Sequence, residues 1–223
     1  SNGKVLLTGE YVILDGALSL AAPTKFGQYL RLRESQSNLI NWKSINFDGN
    51  IWFECLITSD TLEVKSTSSK KISNTLVEII NLIRDYNPIF LKKCGSDIST
   101  NLTFEKNLGL GSSSTLISNL SKISGVNPYT LNNKIFKGSG YDIACAESIS
   151  PILFKLDKDQ KIINEVSFKP SFNEHIYFVY LNKKQNSISE IEKYNKNKAS
   201  NSIINEISDI TSEILVCNSI DRF

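Results

Sequence analysis

Histidine, paired cysteines and long apolar runs are scarce in this sequence, and each scarcity excludes a class of function. His175 is the only histidine among the 223 residues, which excludes triads and metal centres built on histidine. The four cysteines, none of them in the Cys-x-x-Cys spacing typical of zinc sites, are Cys55, Cys94, Cys145 and Cys217. We therefore expect reduced, buried thiols and neither a disulfide framework nor a zinc site.

The charge and hydrophobicity of the chain favour a soluble globular protein and argue against a nucleic-acid binder. The formal net charge is +2, and the basic residues are spread out without the aromatic and basic clusters of a nucleic-acid binder. No apolar run approaches the length of a membrane span, and no signal peptide precedes Gly3. We expect a cytoplasmic protein with no nucleic-acid or membrane partner, and a homodimer is left open.

A glycine motif lies between a predicted strand and a predicted helix. Residues 97–104 alternate apolar and polar side chains, whereas apolar residues recur at helical spacing over residues 116–123. The segment between them, residues 109–115, begins Gly-Leu-Gly and continues with four hydroxyl residues. Glycine permits close backbone approach and a helix N-terminus attracts anions, so this segment is expected to bind phosphate. The alternative is a plain glycine-containing connection with a serine cap.

Two other segments have related patterns. Gly3-Lys4 is followed by Gly9-Glu10-Tyr11 near the start, and residues 138–142 have the sequence Gly-Ser-Gly-Tyr-Asp. Taken in order, the three segments resemble the GHMP superfamily of small-molecule kinases, and residues 109–113 match its Gly-Leu-Gly-Ser-Ser motif letter for letter. The resemblance extends from Gly3 to about Glu147 and is greatest to the mevalonate and phosphomevalonate kinase branch.

The resemblance implies an α+β fold with two domains. Residues 1–171 would form the nucleotide-binding domain, similar to the second domain of ribosomal protein S5. Residues 172–223 would begin a ferredoxin-like C-terminal domain. This second domain is expected to be incomplete, because the family has a third glycine-rich motif near its C-terminus and no glycine follows Ser187.

The resemblance also implies roles for individual residues. ATP would bind at Gly109, Leu110, Gly111, Ser112, Ser113 and Ser114. Mg²⁺ would be held by Ser113 and Asp142, together with phosphate oxygens and water. Asp142 would act as general base and Lys4 would lie near the phosphates. The residues expected near the acceptor are Glu10, Gly140, Tyr141 and Lys183.

Structural alternatives exist for these charged residues. Asp142 follows two glycines and could be a first-turn helix acid, which is common after glycine. Lys4 and Glu10 could form a surface ion pair. Lysines in a polar loop, such as Lys183 and Lys184, are more often solvated than bound to phosphate.

The sequence departs from the family at the magnesium site. Mevalonate kinase uses a glutamate ahead of its catalytic aspartate as a metal ligand, but no acidic residue lies between Thr115 and Tyr141. This leaves open a non-catalytic relative that binds a nucleotide or metabolite. A GHMP kinase for a sugar or homoserine is a further alternative. Four lysines favour phosphomevalonate slightly over mevalonate as acceptor: Lys4, Lys137, Lys183 and Lys184.

Local patterns predict further elements of structure. Residues 4–8 and 11–14 are predicted strands, with a hairpin turn at Asp15-Gly16. A second hairpin turn is predicted at residues 48–50, a helix over residues 73–86, and a strand over residues 176–181. A polar loop over residues 182–187 is expected to lead into a helix, and an amphipathic helix is expected over residues 203–214.

Overall fold

The computed structural model describes residues 1–136, 138–158, 160–180 and 187–223, with the backbone alone at residues 187–189. The chain has a mixed α+β fold, as the sequence predicts. Its strands are β1 (Asn2–Leu6), β2 (Ser19–Ser35), β3 (Leu39–Ile45), β4 (Ile51–Thr58), β5 (Val64–Thr67), β6 (Gly95–Leu102), β7 (Ile152–Asp157) and β8 (Gln160–Glu165). Its α-helices are α1 (Lys70–Tyr86), α2 (Ser112–Ser124), α3 (Pro128–Ile135), α4 (Tyr141–Glu147), α5 (Ser187–Lys196) and α6 (Asn201–Val216).

Contacts between residues divide the chain into two compact units. The first unit contains Ser1 and residues 26–106 and 111–136. The second contains residues 2–25 and 107–110 and the described residues from Gly138 onward. The division into domains 1–171 and 172–223 stays a prediction.

The first unit contains a sheet with the strand order β5-β4-β3-β6-β2. Strand β3 is parallel to β6, whereas β2 and β4 are antiparallel to their partners β6 and β3. Alternate residues of these strands are buried, as the predicted pattern requires, and helices α1 and α2 contribute apolar faces. The largest fully buried side chains of this unit are Trp42, Phe53, Ile40, Ile57, Ile79, Ile80, Ile83, Ile98, Ile117 and Leu120.

The second unit has its core around β7 and α4. Strand β7 pairs with the start of β2 and forms an antiparallel hairpin with β8. The buried residues of this core are Ile13, Ala21, Ala144, Cys145, Ile152 and Phe154. Helix α6 is attached through Thr211, which is fully buried and whose hydroxyl lies 2.9 Å from both the Leu18 carbonyl and the Thr8 hydroxyl.

Several local predictions are confirmed. The turn at residues 48–50 joins β3 to β4, and the helices predicted over residues 73–86 and 203–214 are α1 and α6. The cysteines are free thiols, although only Cys55 and Cys145 are fully buried. Burial raises the pKa of both thiols to about 12, which keeps them protonated near neutral pH.

The strand predicted over residues 11–14 is wrong. Residues Val12–Asp15 form a short 3-10 helix that ends at Gly16, which has a left-handed φ of 90°. Tyr11 itself has a φ of 64°, so the chain reverses there instead of extending. Val12 and Ile13 are both buried in this conformation.

The strand predicted over residues 176–181 is also wrong in the described part, residues 176–180. This segment forms no strand, and Ile176, Tyr177, Phe178 and Val179 are exposed. An apolar run becomes a strand only when a partner satisfies its backbone, and none of the described strands pairs with it.

Among the described residues, no helix combines the length and apolar character needed to cross a lipid bilayer.

Candidate active site

Helix α2 of the first unit begins with an uncapped N-terminus. Gly111 precedes the helix with a left-handed φ of 86°, and no side chain caps it in the described part of the chain. The Thr115 N–H donates to the Gly111 carbonyl at 3.0 Å, which closes the first helical turn. The backbone N–H groups of Ser112, Ser113 and Ser114 precede that bond, so they are available to an anion.

The four hydroxyl residues of this turn have different environments. Ser114 and Thr115 are buried, and their hydroxyls donate to the Gly111 carbonyl at 2.9 and 3.1 Å. Ser113 is exposed and Ser112 partly buried, and within the described structure neither hydroxyl forms a hydrogen bond. The hydroxyls of Ser112 and Ser113 can therefore meet a ligand, whereas Ser114 would contribute its backbone N–H.

The first two residues of the glycine motif belong to the second unit. Gly109 has a φ of 76°, and a Cβ built there would have no heavy atom within 4 Å, so only the backbone conformation requires glycine. The Lys4 N–H donates to the Leu110 carbonyl at 3.0 Å. This bond fixes β1, and with it the Lys4 backbone, next to Leu110 within the second unit.

Lys4, Tyr141 and Asp142 lie together in the second unit. The Lys4 ammonium lies 5.2 Å from the centre of the Tyr141 ring. Helix α4 starts after Gly140, whose φ is 92°, and Asp142 is in its first turn. The Asp142 Oδ1 accepts a hydrogen bond from the adjacent Ile143 N–H, at 3.0 Å.

The environment of this group raises two pKa values. Desolvation raises the pKa of Asp142, while the charge of Lys4 and the Ile143 N–H oppose the rise. Desolvation also raises the pKa of Tyr141 well above its ordinary range, with further contributions from the charges of Glu10 and Asp142. Tyr141 is thus neutral, and Asp142 holds its proton more tightly than a solvated aspartate.

We expect Asp142→Asn to become more stable relative to the parent as the pH rises. The native state binds the Asp142 proton more tightly than the unfolded chain does. This difference contributes fully to the free energy of unfolding at a pH below the ordinary pKa of 3.8, and the contribution disappears as the pH rises through the raised pKa of the native state. Asparagine avoids this loss because it stays uncharged. Urea unfolding of both proteins at pH 4 and pH 8 measures the effect, and a difference that does not change with pH would contradict it.

The remaining predicted site residues have different outcomes. Glu10 is exposed, and none of the described ion pairs joins it to Lys4. Its charge nevertheless acts on both Tyr11 and Tyr141. The predicted acceptor contact Lys183, like Lys137 and Lys184, lies outside the described residues.

The structure adds residues that the sequence did not indicate. The Tyr11 ring stacks on Tyr194 of α5, with the ring centres 5.9 Å apart. Asp15 accepts hydrogen bonds from the Tyr194 hydroxyl at 2.6 Å and the Lys198 ammonium at 2.8 Å. These contacts join residues 179 to 183 positions apart, and no local pattern could have predicted them.

The described residues contain no cluster of three or more metal-ligating side chains. The exposed Ser113 hydroxyl is a hard oxygen donor at the predicted phosphate position, and it is free to coordinate Mg²⁺. A magnesium ion bound with a nucleotide takes most of its ligands from phosphates and water, so this donor fits such an ion.

No protein-family model matches the chain, and no curated protein matches its sequence. Solved structures do resemble it. The phosphomevalonate kinase of Streptococcus pneumoniae, solved with phosphomevalonate and AMPPNP, aligns with a TM-score of 0.68 and 14% identity over 96% of this chain and 71% of its own. The mevalonate kinase of Methanococcus jannaschii aligns with a TM-score of 0.65 and 15% identity, covering 100% and 73%.

A sugar kinase has the same fold. The galactokinase of Lactococcus lactis, solved with galactose, aligns with a TM-score of 0.58 and 15% identity over 97% of this chain and 69% of its own. The chain therefore has the fold of GHMP kinases. At these identities the likeness concerns the fold and leaves the branch and the acceptor undecided.

Proposed function

We propose that this chain is an ATP-dependent kinase that phosphorylates a hydroxyl group of a small molecule. The observation that carries the proposal is the group formed by Lys4, Tyr141 and Asp142, which a backbone hydrogen bond holds against the glycine motif at Leu110. Asp142 supplies a proton acceptor and Lys4 a cation, and phosphoryl transfer to an alcohol needs both.

The nucleotide half of the proposal concerns α2. The triphosphate binds at the uncapped N-terminus, where the N–H groups of Ser112, Ser113 and Ser114 and the positive end of the helix dipole favour negative charge. Ser113 supplies one oxygen to the magnesium that accompanies ATP. When bound, that ion neutralises charge that develops on the phosphate oxygens.

The acceptor half concerns Asp142. Its carboxylate takes the proton from the acceptor hydroxyl as the acceptor oxygen bonds to the γ-phosphorus and the bond to the leaving ADP oxygen breaks. The raised pKa of Asp142, caused by its desolvation, makes its carboxylate a stronger base than a solvated aspartate. The Lys4 ammonium stabilises negative charge at the same place.

For the acceptor, the described charges favour a hydroxyl over a phosphate. Glu10 and Asp142 would repel a phosphorylated acceptor. Among the described residues, Lys4 is the one cation whose charge acts on Asp142. Lys137, Lys183 and Lys184 lie outside the described residues, so the preference that follows rests on the charges of Glu10, Asp142 and Lys4 alone. We therefore propose mevalonate, a hydroxy acid with a single carboxylate, as the acceptor, with phosphomevalonate second.

An ADP-release screen tests the proposal. The protein, ATP and Mg²⁺ would be assayed with mevalonate, phosphomevalonate, galactose and homoserine in turn. Turnover of mevalonate supports the full proposal. Turnover of galactose or homoserine alone contradicts mevalonate as the acceptor but still supports kinase activity. ATP binding by calorimetry without turnover of any acceptor would favour the non-catalytic alternative.

A further inference from the structure

Helix α5 contacts the turn that carries Glu10 and Tyr11. Its Tyr194 ring stacks on Tyr11 with an angle of 23° between the ring planes. The same helix contains the ion pair between Lys193 and Glu190, at 2.8 Å, and both charges act on the Tyr11 hydroxyl. Helix α5 therefore lies over the Tyr11 side of the turn.

The end of the turn is also held by this part of the chain. The Asp15 carboxylate accepts one hydrogen bond from Tyr194 through Oδ2 and one from Lys198 through Oδ1. The Tyr194 hydroxyl in turn accepts from the Ala199 N–H at 3.4 Å. Both carboxylate oxygens of Asp15 are thus occupied by residues from beyond position 190.

The turn needs such external support because its backbone is strained. Tyr11 has a left-handed φ of 64°, which is costly for a side chain with a Cβ and persists only where the surroundings enforce it. Within the turn, Val12, Ile13 and Leu14 donate to the carbonyls of Glu10, Gly9 and Tyr11, and the Ile13 side chain lies in the core of the second unit. Stacking at Tyr11 and hydrogen bonding at Asp15 fix the turn from both ends.

The turn matters to the proposed site because it faces Tyr141. Leu14 of the turn and Tyr141 pack against the same buried core, and the charge of Glu10 acts on the Tyr141 hydroxyl. Tyr141 precedes Asp142 and lies against Lys4. A displacement of the turn would therefore move Glu10 relative to the group that carries the proposed chemistry.

We infer that Tyr194 is a positioning residue for acceptor binding, which acts by stacking on Tyr11 and hydrogen bonding to Asp15 and so holds Glu10 in place. The inference rests on the proposed function. It adds a residue of α5 to the residues that determine which acceptor binds, although Tyr194 itself transfers no proton and touches no phosphate.

Two substitutions separate the contributions of Tyr194. Tyr194→Phe keeps the ring and removes only the hydrogen bond to Asp15, whereas Tyr194→Leu removes both contacts. We expect Tyr194→Leu to raise the KM for the acceptor about tenfold, since an aromatic pair and a hydrogen bond are lost, and to leave the KM for ATP within about twofold. Tyr194→Phe should have a KM for the acceptor much closer to that of the parent than to that of Tyr194→Leu. Tyr29→Leu, an exposed tyrosine of β2 in the first unit, is the matched control and should change neither KM.

Amide hydrogen exchange gives a measurement that does not depend on turnover. Tyr194→Leu should accelerate exchange at residues 12–14 while residues 116–124 of α2 keep the rate of the parent. Unchanged exchange at residues 12–14 overturns the inference even if the protein is a kinase. Equal increases in the KM for ATP and for the acceptor, with faster exchange everywhere, would also overturn the inference, because they would show that the substitution destabilises the whole protein. A parent that turns over no acceptor overturns the proposed function, while the exchange experiment still decides whether Tyr194 holds the turn.

Discussion

Replacement of Asp142 by asparagine should lower turnover about 10²-fold or more while ATP affinity changes little. Asparagine keeps the shape of the side chain and can still accept from the Ile143 N–H, so the start of α4 should be preserved. What it removes is the proton acceptor beside Lys4. Steady-state kinetics with the acceptor identified by the screen, together with calorimetry of ATP binding, measures the two effects separately.

Asp85→Asn is a suitable control for this substitution. Asp85 is exposed near the end of α1 in the first unit, so the same chemical change should leave turnover at the level of the parent. If Asp142→Asn retains nearly full turnover, Asp142 is not the base and its role is that of a first-turn helix acid.

Gly111→Val should weaken ATP binding at least about tenfold, because the left-handed backbone before α2 is costly for any residue with a Cβ. The φ of Gly111 is 86°, and a change there reorients the N–H groups of the first helical turn. Ser112→Ala should bind ATP almost as tightly as the parent, since those contacts come mainly from the backbone. Calorimetry with ATP compares the variants directly.

Gly49→Val provides a matched control for backbone strain. Gly49 has the same φ of 86° but lies in the exposed turn between β3 and β4, where an added Cβ has open space. It should lower stability through the same strain and leave the dissociation constant for ATP unchanged. If Gly111→Val and the parent bind ATP equally well, the N-terminus of α2 is not the phosphate site.

The α+β fold and the main site segments could be predicted from the sequence because their causes are local. Gly109 and Gly111 both have positive φ, as a glycine-rich connection into a helix predicts. The turn at residues 48–50 and the helices α1 and α6 follow from turn chemistry and apolar spacing within a few residues. Which residues contact ATP or an acceptor stays a prediction, although the structure does bring Lys4, Tyr141 and Asp142 together.

Tertiary structure decided what depends on distant partners. Residues 11–14 have an apolar pattern compatible with a strand, but the chain reverses at the positive φ of Tyr11 and continues as a short 3-10 helix. Tyr194 of α5 stacks on Tyr11 in this conformation. The apolar residues 176–180 form no strand, because strand formation needs hydrogen-bond partners that spacing alone does not supply. The contacts of Tyr194 with Tyr11 and Asp15 likewise depend on the packing of α5 against the turn near the N-terminus, which no local sequence pattern predicts.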